Sequence, residues 1–138
     1  MTTGEKIRHY RKMRGLYQGE LAEKVGMTEG AIRHYESGAR APKKDQIAAI
    51  ASALDVSPLA LKDFGVESSS DLLALLLQLE DAFGFAPSED GRNLSIDPSA
   101  EKAPKASQAI KGWAVMRAKL ESGEISADEY AEWKAKFQ

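Results

Sequence analysis

The stretch from Gln18 to Tyr35, QGELAEKVGMTEGAIRHY, leaves this chain few ways to fold. Leu21, Ala22 and Val25 recur at helical spacing and mark one face of a helix. Gly26 follows at once, and a glycine directly after a periodic run supplies the left-handed residue that ends a helix. Thr28 can then cap a second helix with its side-chain oxygen, and Ile32 and Tyr35 give that helix its inward face. Only about three residues separate the two helices, so they must cross steeply and share one small core. Ala22 suits that crossing, because a larger side chain would push the second helix away.

This is the spacing of a helix-turn-helix, whose second helix is offered to the DNA major groove. From about Gly4 to Gly65 the chain resembles the Cro and phage-repressor-like (XRE) helix-turn-helix proteins. The resemblance rests on IRHYRKMRGLYQGELAEKVGMTEGAIRHYESGARAP and on the later IAAIASALDVSPLAL. The motif comes with a helix before it and two after it, all at the family's spacing. The resemblance implies a sequence-specific transcriptional regulator of double-stranded DNA; the function expected is that of a repressor acting as a homodimer on an inverted-repeat operator.

Charge agrees once it is divided. The whole chain of 138 residues carries a net −2. Residues 1–65 hold eleven Lys/Arg and eight Asp/Glu, a net +3, and residues 66–138 hold eight and thirteen, a net −5. The positive charge sits with the motif, as a phosphate-binding surface requires. The absence of cysteine excludes disulfides, thiolate zinc sites and thiol nucleophiles. His9 and His34 lie far apart without a carboxylate cluster, so no metal, cofactor or catalytic constellation is expected. No apolar run approaches membrane-spanning length and no charged-then-apolar leader opens the chain, which points to a cytoplasmic protein without a membrane partner.

In chain order, Thr2 and Glu5 form a capping-box signature. The helix after them puts Ile7, Tyr10, Arg11 and Arg14 on one side, and Gly15 ends it. The resemblance pairs Arg11 with Glu36, joining the first helix to the recognition helix; the other reading is two solvated charges. Tyr17 stands where the family usually has a capping Ser or Thr, and it either reaches a phosphate or packs half-exposed. Gln18 matches the family's glutamine at a helix start that faces a phosphate. Gly38 and Pro42 punctuate a loop made basic by Arg40, Lys43 and Lys44, which in relatives follows the DNA backbone. Gln46 to Leu54 reads as a fourth helix. Ser57 and Pro58 open a short fifth, Leu59 to Phe64, before Gly65.

The fold class expected is mainly α: a five-helix repressor-like domain over 1–66, then a small α-rich dimerisation or regulatory region over 67–138 with a β-hairpin. ESSS, residues 67–70, reads as the linker. The helix from Asp71 to Phe83 is apolar on too many sides for a monomer surface. It must be covered by the C-terminal elements, by a second copy, or by both, which makes Leu72, Leu73, Leu76 and Leu79 dimerisation candidates. Phe83 to Asp97 reads as a hairpin turning at Asp90-Gly91, and Pro98 to Lys105 as a loop. Ser107 to Ser122 is helical, and a last helix follows the Ser126/Glu129 capping box. Trp113 and Trp133, with Tyr130 and Phe137, provide core or dimer packing; a ligand pocket is the sharper alternative.

The outward positions of the recognition helix, by the resemblance, are Thr28, Glu29, Gly30, Arg33 and His34. Relatives often carry glutamines where Glu29, Gly30 and His34 stand. Arg33 can contact guanine or phosphate, and His34 a base or phosphate. Glu29 can accept from a cytosine amino group, or simply favour the helix dipole. Gly30 either admits a base or thymine methyl close to the backbone, or reads nothing. These departures, with the acidic second half, keep a rival function open: an adapter or antitoxin that reads DNA weakly.

Overall fold

A computed structural model describes residues 1–138. Its elements are α1 (Thr3–Met13), α2 (Gln18–Val25), α3 (Glu29–Ser37), α4 (Lys44–Ala53), α5 (Pro58–Leu61), α6 (Ser69–Phe83), β1 (Phe85–Pro87), β2 (Leu94–Ile96), α7 (Ala103–Glu121) and α8 (Ala127–Lys136). They fall into two compact units, Met1–Gly65 with Ala131–Gln138, and Val66–Tyr130. No helix is long and apolar enough to cross a membrane.

In the first unit the expected caps form. Thr2 Oγ1 accepts from the Glu5 amide at 3.2 Å while Glu5 Oε2 accepts from the Thr2 amide at 2.7 Å. Tyr17 gives α2 no side-chain cap, as its departure from Ser or Thr implied. Gly26 takes φ 68° and turns the chain between α2 and α3, and Thr28 Oγ1 accepts from the Ala31 amide at 3.1 Å. The core is Ile7, Leu21, Ala22, Ile32, Tyr35, Ile50, Ala51, Leu54 and Leu61, all buried. Burial of each large aliphatic side chain there contributes about 1.5–3 kcal/mol.

Gly4 is a close approach that the sequence did not reveal. A Cβ at this position would lie 2.1 Å from the Tyr35 carbonyl oxygen, so the first turn of α1 rests directly on the backbone of α3. The helix boundaries also differ from expectation. Gln46 Oε1 accepts from the Lys43 amide at 2.8 Å, which lets α4 start at Lys44 rather than Gln46. α5 stops at Leu61, where Lys62 turns to extended backbone. Phe64 therefore lies outside it, exposed, with the Lys62 ammonium 4.9 Å from its ring.

The larger difference is at the C-terminus. Ala131–Gln138 belongs to the first unit, not to the region after residue 66. Ala135 is fully buried in the core, and its carbonyl accepts from the Ser57 amide at 2.8 Å. Arg14 donates to the carbonyls of Leu54 (2.7 Å) and Asp55 (3.0 Å), and its guanidinium pairs with Glu132. Lys136 Nζ lies 2.9 Å from Asp55 Oδ2. Of the expected aromatic stripe Tyr130 is buried, Trp133 is half-buried and Phe137 is exposed, and the fully buried residue of this helix is the small Ala135.

In the second unit, Ser68 and Asp71 form a reciprocal cap, so Ser69 and Ser70 are helix, not linker. No residue of α6 is buried, and Leu72, Leu73, Leu75 and Leu77 are exposed. Leu76, Leu79, Ala82 and Phe83 are half-buried, and the other leucines of the helix stay open. The hairpin forms as expected, with Phe85 opposite Ile96, Ala86 opposite Ser95 and Pro87 opposite Leu94. Asp97 and Lys102 amides donate to the carbonyls of Gly84 and Ala82 and tie the hairpin to the end of α6. α7 begins at Ala103 rather than Ser107, because Pro104 in a first turn starts a helix instead of breaking it. Trp113 Nε1 donates to Tyr130 Oη at 2.8 Å, and the Ser126/Glu129 cap opens α8.

Candidate nucleic-acid interface

α3 is held from behind by a charged network. Arg11 Nε and Nη2 lie 2.5 and 3.0 Å from the two carboxylate oxygens of Glu36, a forked pair. The remaining guanidinium nitrogen donates to the Leu16 carbonyl at 2.7 Å. Both side chains are buried, Arg11 at 7% exposure and Glu36 at 8%. Burial pushes the Glu36 carboxyl up, but hydrogen bonds from Arg11 and Gln18 and the Arg11 charge outweigh it, so the group sits below its ordinary range. The same bond to Glu36 raises Arg11. A fully satisfied pair of this kind fixes orientation more than it adds net stability.

Gln18 is part of this network. Its Nε2 donates to Glu36 Oε2 at 2.9 Å, so its side-chain amide faces the protein. One of its two N–H donors is thereby committed to the buried carboxylate. The backbone amides in the first turn of α2 have no partner within the helix and could face an anion.

Along α3, Thr28, Glu29, Arg33 and His34 are exposed and Gly30 is half-buried. The Thr28 oxygen is used as a cap acceptor, which leaves its hydroxyl hydrogen free to donate. Glu29 and Arg33 form an (i, i+4) pair at 3.8 Å with both side chains more than half exposed. Gly38 ends α3, and the Arg40 amide then donates to the His34 carbonyl at 3.2 Å. That bond folds the basic loop back beside the recognition helix. Arg40, Lys43 and Lys44 are all exposed. The surface thus joins a helix face able to enter a groove to a run of cations able to follow a phosphate backbone.

The dimerisation candidates divide. Leu72 and Leu73 are exposed, and Leu76 and Leu79 are half-buried on α6. Trp113 belongs to the second unit and is about half exposed. Trp133 belongs to the first, half-buried, with its ring 6.1 Å from Phe137. No group of His, Asp and Glu side chains is placed to hold a metal ion. Arg14 and Gly4 are the structural residues that sequence reading left without a role. Arg14 sat on the inward stripe, and an inward cation without a named partner was the signal that could have found its contacts.

The helix-turn-helix family model matches residues 7–61. The P22 c2 repressor, solved in complex with a synthetic operator, is 33% identical over 44% of this chain and 92% of its own, with a TM-score of 0.43. The restriction-modification controller protein C.AhdI from Aeromonas hydrophila is 32% identical over 44% of this chain and 91% of its own, with the same score. SinR, a master regulator for biofilm formation solved in complex with DNA, is 32% identical over 45% of this chain and all of its own, again at 0.43. No curated protein shows significant similarity to the chain. The family match and the identity across nearly the whole length of these relatives carry the assignment: the chain belongs to the repressor-like (XRE-type) helix-turn-helix family of DNA-binding transcription regulators.

Proposed function

We propose that this protein is a transcriptional repressor that binds an inverted-repeat operator as a homodimer. The observation that carries the reading is the shared surface of Thr28, Glu29, Gly30, Arg33 and His34 with the exposed cations Arg40, Lys43 and Lys44, braced from behind by Arg11 and Glu36. In this reading the helix reads base edges while the loop and the α2 amides fix its register on phosphates. A single domain of this size makes few base contacts, so useful specificity needs two half-sites read together. The uncovered leucines of α6 favour a second copy as the source of the other half-site. Trp113 and Trp133 are further candidate contacts of that assembly. Recognition helices related by a two-fold axis then sit about 34 Å apart, one turn of B-DNA.

A second reading has its own support. The same exposed leucine face suits a protein partner, and Glu29, Gly30 and the acidic second half fit an adapter or antitoxin whose DNA reading has weakened. Sedimentation and footprinting of the full chain separate the two. A dimer protecting two half-sites one turn apart supports the repressor. A micromolar monomer that protects no site favours the adapter.

A further inference from the structure

Gly30 has no internal reason to be glycine. A Cβ there would meet nothing nearer than Thr28 Oγ1, 4.0 Å away, whereas the same addition at Gly4 strikes backbone at 2.1 Å. A glycine inside a helix weakens it relative to alanine, so a bare position on the outer face of α3 points to something that approaches from outside. Its neighbours are arranged around that gap. Glu29 stands in the first turn of α3, where the helix dipole favours a carboxylate, and it precedes its arginine by one turn, the stronger orientation of such a pair. One of its oxygens faces Arg33 Nη2 at 3.8 Å. The other lies 3.5 Å from where a Gly19 Cβ would be, over the first turn of α2. The guanidinium engages Glu29 through one nitrogen, and two parallel N–H groups are what a guanine O6/N7 edge accepts.

We propose that Glu29 is a positioning residue that holds Arg33 for a guanine edge while Gly30 leaves the surface beside it bare for close approach of the neighbouring base pair. The proposal rests on the repressor reading and adds the base class that α3 selects. Glu29 itself touches no base; its carboxylate sets the direction of Arg33. Glu29 and Arg33 then act as one unit, and removing either loses the same discrimination.

The test is selection from a randomised duplex pool by the full-length parent, Glu29→Ala, Arg33→Ala and the double variant. The winning duplex and a scrambled one are then titrated with each protein. The parent should enrich a motif with one invariant guanine per half-site. Arg33→Ala and Glu29→Ala should each lower the preference for that guanine by about 10-fold, within the range of one bidentate base contact. The double variant should lose little more than either single one. Gly30→Ala should melt no lower than the parent yet bind the selected duplex at least about 5-fold more weakly, because its new methyl meets DNA and not protein. Additive losses, or a Glu29→Ala variant that binds all DNA more tightly with the guanine preference intact, would overturn the positioning role. A Gly30→Ala variant that binds as well as the parent would overturn the bare-surface half. If the parent enriches no motif, the repressor reading and this proposal fall together.

Discussion

Arg11→Ala should be among the most damaging single changes in the first unit. The substitution removes two short bonds to Glu36, at 2.5 and 3.0 Å, and the bond to the Leu16 carbonyl. It leaves a carboxylate at 8% exposure with Gln18 Nε2 as its remaining side-chain donor. Breaking a buried pair from one side costs about 3–5 kcal/mol, because the stranded charge is neither solvated nor neutralised. Against a total of about 5–15 kcal/mol for a folded domain this is a large share, and for a chain of this length it lowers Tm by about 10–20 °C. The sign of the pH dependence gives a second check. In the parent the Glu36 carboxyl sits below its ordinary 4.5. Its contribution is therefore present above the unfolded value and fades as pH falls through the lower folded value. In Arg11→Ala the stranded carboxyl gains by taking up a proton, so the gap between parent and variant should narrow on acidification below about pH 5. Thermal melts followed by circular dichroism at pH 7 and pH 4.5 measure both effects. Melting within a degree or two of the parent at pH 7, or a gap that widens in acid, would refute the reasoning.

Three further outcomes follow from other contacts. Gly4→Ala should cost about 1–3 kcal/mol by forcing α1 away from the Tyr35 carbonyl, measured by urea unfolding of the full chain. Ending the chain at Tyr130 should lower the Tm of the first unit, since Ala135 leaves the core and Arg14 loses Glu132. Arg14→Ala alone should reproduce part of that loss, about 1–3 kcal/mol. Lys43→Ala should weaken all duplex DNA about equally and reduce the magnitude of the salt slope by about one, with melting unchanged.

The first unit was legible because its signals are local. Gly26 and Thr28 fix the turn, Thr2 and Glu5 fix the first cap, and Leu21, Ile32 and Tyr35 repeat at helical spacing. Arg11–Glu36 came from the family pattern and is present with near-ideal geometry. What escaped was long-range or negative. Nothing in the chain around Gly4 announces a carbonyl thirty-one residues away. Ala135 and Glu132 complete the first unit from the far end of the chain, through a small side chain and a salt bridge that no periodicity marks. Gln18 shows a family residue in its expected place whose amide is turned inward by a buried carboxylate. The excess of leucine on α6 is legible in the sequence, and Leu72, Leu73, Leu75 and Leu77 are exposed.

The central claim is that α3 reads DNA as part of a two-fold assembly. The most direct measurement is a titration of the full chain against its selected inverted repeat and against a single half-site, repeated across salt concentrations. The expected result is a steep fall of affinity with salt and a preference for the intact repeat over random DNA of about 1,000-fold or more at physiological salt. Equal affinity for repeat, half-site and random duplex would contradict the account.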